Sequence, residues 1–97
     1  MSSTDLPASP AIRHRPEASR FELALDEGLA MCVYRRQGDV LLMTHTEVPP
    51  ACGGRGLAAA LVRCALDWAR TEGLRVQPQC SYVAAYMRRH PETRDLL

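Results

Sequence analysis

A chain of 97 residues with 46% hydrophobic and 24% charged side chains and a net charge of +1 has the composition of one small globular domain. It offers no general electrostatic pull toward nucleic acid or an anionic membrane. All twelve positive side chains are arginine, which excludes a Walker A lysine, a Schiff-base lysine and a pyridoxal-phosphate anchor, since each needs the amine itself.

Residues 1–18 hold four Ser/Thr and three of the seven prolines, with Leu6 and Ile12 as the only sizeable apolar side chains after Met1. This predicts a disordered tail ahead of a single domain over residues 19–97. The first residues have neither a basic cluster nor an apolar stretch, so a secretory leader is not expected and a reducing cytoplasm is. Phe21, Leu23 and Leu25 then alternate with Glu22 and Ala24. Turn chemistry at Asp26, Glu27 and Gly28 leads into a second apolar run at 29–34, and the two read as a hairpin. A turn at 35–39 precedes a third, unusually long strand at 40–48, ended by Pro49 and Pro50, which cannot donate to a ladder. The longest unbroken apolar runs, 29–34 and 57–62, are far short of the ~18 residues needed to cross a bilayer, so no membrane partner is expected.

Beyond Gly53, Gly54, Arg55 and Gly56, apolar residues recur at three- and four-residue intervals from Leu57 to Ala69, the period of an amphipathic helix that Gly73 closes. A short strand at 74–77 stops at Pro78, and Ser81 caps a final helix running to His90. The predicted order is β-β-β-α-β-α, a mixed α/β (α+β) domain. Cys32, Cys52, Cys64 and Cys80 are separated by 20, 12 and 16 positions. Structural metal sites pair ligands two to four residues apart, so no metal is expected.

The glycines between a long strand and a long helix are the strongest chemical signal. Gly54 and Gly56 allow close approach of a ligand to the backbone, and the first helical turn directs unpaired N–H groups toward any anion. Glycines that merely ease the turn are the competing reading. Residues 54–59 also satisfy a relaxed dinucleotide fingerprint, but the acidic residue required about 20 positions on is replaced by Leu74, Arg75, Val76 and Gln77.

A β-meander, a glycine loop that suits phosphate and a following β-α unit together resemble the Gcn5-related N-acetyltransferases, whose motif is Arg/Gln-x-x-Gly-x-Gly/Ala. Residues 51–56 supply both glycines, with Ala51 at the motif's first position. The closer resemblance is to a minimal branch that includes YjdJ-like proteins. It is carried by residues 45–49, the glycines, residues 65–70, residues 80–83 and His90-Pro91.

The resemblance implies a mixed sheet splayed into a V, with acetyl-coenzyme A in the cleft. Its pyrophosphate would lie on the amides around Gly54, Arg55, Gly56 and Leu57, and its pantetheine along the strand edge at Thr46, Glu47 and Val48. Arg55 equally suits plain solvent exposure. The acceptor would be an amine, of a peptide or protein, since few residues remain to wall off a small pocket. The alternative is a non-enzymatic acyl-coenzyme A-binding or partner-binding module.

An amine of pKa about 10.4 is mostly protonated at neutral pH, which opposes attack by roughly 4 to 5 kcal/mol and calls for a base. Strand alternation puts His45 and Glu47 on one face with Leu41 and Met43, unless a bulge intervenes, and either side chain could serve. Simple hydrogen bonding at the sheet edge is the rival explanation. Cys80, just ahead of the last helix, would have its thiol activated by the helix N-terminus. The resemblance places it near the acetyl group, where it would allow an acyl-cysteine relay, although direct attack of the amine is the route the resemblance favours; a buried inert cysteine is the other possibility. Tyr82 or Tyr86 could donate a proton to the departing thiolate or simply pack. Arg88, Arg89 and Arg94 form a modest basic cluster that could meet the 3′-phosphate or remain a solvated helix face.

Overall fold

The computed structural model describes residues 11–97. Five strands form one sheet in the order β1-β2-β3-β4-β5. They are β1 (Arg13–Arg15), β2 (Arg20–Leu25), β3 (Gly28–Gln37), β4 (Val40–Glu47) and β5 (Arg75–Pro78). The first four are antiparallel neighbours, while β5 lies parallel to β4, reached by the crossover helix α1 (Leu57–Thr71). A second helix, α2 (Ser81–Arg89), and a 3-10 segment, Pro91–Leu96, complete the chain. The β-meander followed by α-β-α is the expected α+β architecture.

The alternation in β2 and β3 does what its period requires. Phe21, Leu23, Ala30, Cys32 and Tyr34 are buried on one face, where Leu61, Val62, Ala65, Leu66 and Ala69 of α1 meet them. Val83 and Met87 of α2 and Leu96 join the same cluster, so both helices share one side of the sheet. Each fully buried aliphatic side chain there contributes about 1.5 to 3 kcal/mol by removal from water.

The first strand corrects the expected tail boundary. His14, inside the stretch read as disordered, stacks on Phe21 at 4.1 Å between ring centroids and meets Trp68 edge-on at 4.5 Å. Its Nε2 lies 2.6 Å from the Tyr34 hydroxyl. Composition counted His14 among the polar residues, whereas its ring acts here as an aromatic core group that completes the cage over Trp68. Residues 1–10, the remainder of that expected tail, lie outside the described residues.

Candidate active site

The parallel ladder between β4 and β5 runs from Val40↔Arg75 to Met43↔Pro78 and then stops. Past that point β4 continues to Glu47, still paired with β3. The other chain turns away, and the amides of Gln79 and Cys80 both donate to the Met43 carbonyl, at 3.0 and 2.9 Å. The two segments therefore part, and among the described residues the β5-facing backbone edge of residues 44–47 has no strand beside it. This is the expected V.

An irregularity in β4 decides which way the side chains at the V point. Val33 pairs with His45 but Tyr34 pairs with Met43, so Thr44 is an extra residue without a partner on β3. Its hydroxyl donates to the Val33 carbonyl at 3.4 Å, which occupies an acceptor where the ladder is disturbed. The bulge shifts the alternation by one. His45 and Glu47 still share a face, but it is not that of Leu41 and Met43 as simple period-2 counting predicts; they project from the side of the sheet opposite both helices. There Nε2 of His45 lies 3.0 Å from Oε1 of Glu47, each side chain 57% exposed. Thr46, by the same shift, faces the helices and stands opposite buried Cys32.

Cys80 meets Thr46 across the V, its Sγ donating to Thr46 Oγ1 at 3.7 Å. It, rather than Ser81, is the N-cap residue of α2, because the two bonds to Met43 fix the chain in an extended conformation one residue before the helix begins. Burial pushes the Cys80 thiol pKa up, but the Val83 amide, the Thr46 hydroxyl and the Tyr82 amide together outweigh it, and the net direction is down. No full side-chain capping bond forms, so the amides act by proximity.

Cys32 is the opposite case: burial drives its thiol pKa up to about 12 despite the Thr46 hydroxyl. Burial, with Asp67 nearby, raises that of Cys64 as well. Thiolate is the reactive form. Limited alkylation near neutral pH is therefore expected to label Cys80 ahead of Cys32 and Cys64 by roughly an order of magnitude, read by peptide mass spectrometry. First labelling at Cys64 would place Cys80 outside the open cleft.

The glycine loop lies beside the same end of β4. Gly54 and Gly56 both adopt left-handed backbone, φ +83° and +73°, and a Cβ built on either meets nothing within 4 Å. Gly56 is the N-cap of α1 with no side chain capping it, so the first-turn amides face open space that an anion can fill. The amides of Gly54, Arg55 and Gly56 donate to no backbone carbonyl among the described residues. Arg55 leans instead toward Glu27, 3.7 Å away, with 52% of its side chain exposed. Leu57 and Val48 are half-buried against the core and anchor the two ends of the loop.

Tyr82 is 40% exposed. With Ala59, Ala85, Tyr86, Arg89 and His90 it lines a hollow of about 170 Å³ between the start of α1 and α2. Tyr86 stacks on His90 at 4.0 Å, and burial raises its pKa. The arginine cluster divides: Arg89 faces this hollow, whereas Arg88 and Arg94 line a separate one with Pro78 and Met87. Among the described residues no group of three potential metal ligands converges. Sequence reasoning missed Thr44, since nothing in a run of Met, Thr, His and Thr marks the inserted position.

Residues 20–96 match the family described as GCN5-related N-acetyl-transferase. The chain is similar to Protein NATD1 of Homo sapiens, 36% identical over 83 residues, 82% of this chain and 74% of that one. To Protein NATD1 of Xenopus tropicalis it is 30% identical over 94 residues, 94% and 86% of the two chains. The solution structure of a GCN5-like protein from Staphylococcus aureus superposes with a TM-score of 0.73 at 23% identity, covering 92% of this chain and 88% of the other. At that identity the likeness is one of fold.

Proposed function

This chain belongs to the GCN5-related N-acetyltransferase family, and from that premise we propose that it binds acetyl-coenzyme A in the V between β4 and β5 and transfers the acetyl group to a free amine of a peptide or protein. The single observation that carries this reading is the coincidence, at one end of β4, of a parted strand pair, an open glycine loop and a hydrogen-bonded His45–Glu47 pair. A kinship with YjdJ-like minimal proteins and a cytoplasmic location belong to the same proposal.

Acetyl-coenzyme A supplies an acyl group activated as a thioester. The residues present suit it. The left-handed glycines leave empty the volume a Cβ would fill, so the first-turn amides of α1 can hold a pyrophosphate. The free edge of residues 44–47 offers backbone donors and acceptors to pantetheine amides. The far end of the molecule would follow the hollow beside Tyr82 and Arg89. Glu47, with His45 beside it, would take the proton from the incoming amine on the face opposite the helices. Tyr82 or Cys80, on the helix side, would return a proton to the departing thiolate.

Two measurements test this. Thiol release from acetyl-coenzyme A over a panel of amines should rise above the uncatalysed rate; binding without release would favour the non-enzymatic module. Gly56→Ala should weaken coenzyme A binding roughly tenfold or more, because a Cβ would occupy the phosphate volume, while the left-handed backbone there costs about 1–2 kcal/mol of stability. Unchanged affinity in folded Gly56→Ala and Gly54→Ala proteins would remove the phosphate cradle.

A further inference from the structure

Both helices pack on one side of the sheet, and among the described residues no helix packs on the other. The strand register arranges that free face in rows. One row runs His45, Val33, Arg20, Arg15 and the next Glu47, Met31, Glu22, Arg13, each residue directly opposite its neighbour on the adjoining strand. Met31 and Val33 are half-buried, forming an apolar step immediately beside the His45–Glu47 pair. Past that step the face turns cationic. Arg20 and Arg15 share the one carboxylate of Glu22, at 2.7 and 3.2 Å, and Arg15 also meets Glu17 of the following turn. Arg13, and Arg35 farther along β3, have no acidic partner among the described residues.

We propose that this free face is the docking surface for the acceptor, a polypeptide segment that presents its amine at Glu47, lays an apolar side chain on Met31 and Val33, and places acidic residues against Arg20 and Arg13. The inference rests on the transferase reading, which puts the reacting amine on this side of the sheet, and adds what that reading leaves open: the sequence the acceptor must carry.

The spacing sets the register. Strands lie about 4.8 Å apart and alternate residues of one strand about 6.6 Å apart, so Arg20, two strands across and one row along from Glu47, is roughly 12 Å away, and an extended peptide advances about 3.3 Å per residue. A residue three to four positions from the acceptor amine therefore brings its side chain to Arg20, at about 3.3 Å per residue. Shared or unpartnered guanidiniums favour a carboxylate there and disfavour a basic side chain, which meets like charge.

The test uses the full chain with coenzyme A and two heptapeptides with free N-terminal amines. Each has leucine at the second position, and they differ only in glutamate or arginine at the fourth. Amide shifts in a protein NMR titration give both the affinity and the location. The glutamate peptide is expected to bind roughly fivefold or more tightly, with shifts centred on Met31, Val33 and Arg20. Arg20→Glu and, separately, Arg13→Glu should reduce or reverse that preference. Equal affinities, shifts confined to the helix side, or acetylation of small amines with no peptide binding would overturn the docking surface and leave the transferase reading standing. Peptide binding on this face by a chain that fails to bind acetyl-coenzyme A would instead uphold the surface and remove the transferase reading.

Discussion

Replacing Glu47 by glutamine and His45 by asparagine is expected to slow acetyl transfer by about 10² to 10⁴, the usual loss when a general base is removed, with little change in coenzyme A affinity. The two side chains project from the segment of β4 beyond the bulge, on the face away from the helices, and hydrogen-bond to each other at 3.0 Å. Neither contributes to the core, so folding should survive both changes. An amine that needs the enzyme to remove its proton benefits most at neutral pH, where it is almost wholly protonated. The deficit of Glu47→Gln should therefore shrink as pH rises toward the pKa of the acceptor, when a growing fraction arrives already neutral. Glu47→Gln is expected to lose more than His45→Asn if Glu47 is the acceptor of the proton and His45 positions it; the reverse ranking would exchange their roles. Turnover equal to that of the parent for both variants from mildly acidic to alkaline pH would remove the pair from the mechanism.

The meander, the crossover helix and the last β-α unit are legible in the sequence because each rests on a periodicity that one side of a sheet imposes. Phe21, Leu23, Ala30 and Cys32 alternate because they face helices, and Leu61, Ala65 and Ala69 recur because α1 faces the sheet. The glycine loop is legible for a different reason: two left-handed positions ahead of a helix leave few alternatives to glycine. What cannot be read is any departure from period. Thr44 is an ordinary strand residue, and only the pairing of Val33 with His45 reveals it as an insertion that turns the His45–Glu47 pair to the opposite face. Cys80 as the helix cap is hidden similarly, because Ser81 has the better intrinsic capping preference and loses to the two tertiary hydrogen bonds that fix Gln79 and Cys80 on Met43.

The first strand shows the same limit at larger scale, and removing it has a correspondingly large expected effect. A chain lacking residues 1–18 is expected to lose about 3 kcal/mol of stability, the lower range for truncating a buried aromatic, and so about a hundredfold in its folding equilibrium. Phe21 would lose its stacking partner, the Tyr34 hydroxyl its bond to His14, and Trp68 one wall of its cage. The edge of β2 would also be exposed along its pairing with Arg13, His14 and Arg15. Removing residues 1–10 alone leaves all these contacts in place and serves as the reference truncation. The pH dependence gives an independent readout. Burial lowers the His14 pKa, against the opposing pull of Glu17 and Glu72. Below the ordinary histidine pKa of about 6.5 the unfolded chain then takes up the proton more readily than the folded one, and stability falls as pH drops. His14→Phe should keep the ring packing but lose that part of the acid sensitivity, whereas the longer truncation should lose both. Equal midpoints for the two truncations would mean that β1 contributes nothing to the core, and that the aromatic cage closes on Phe21, Tyr34 and Trp68 without it.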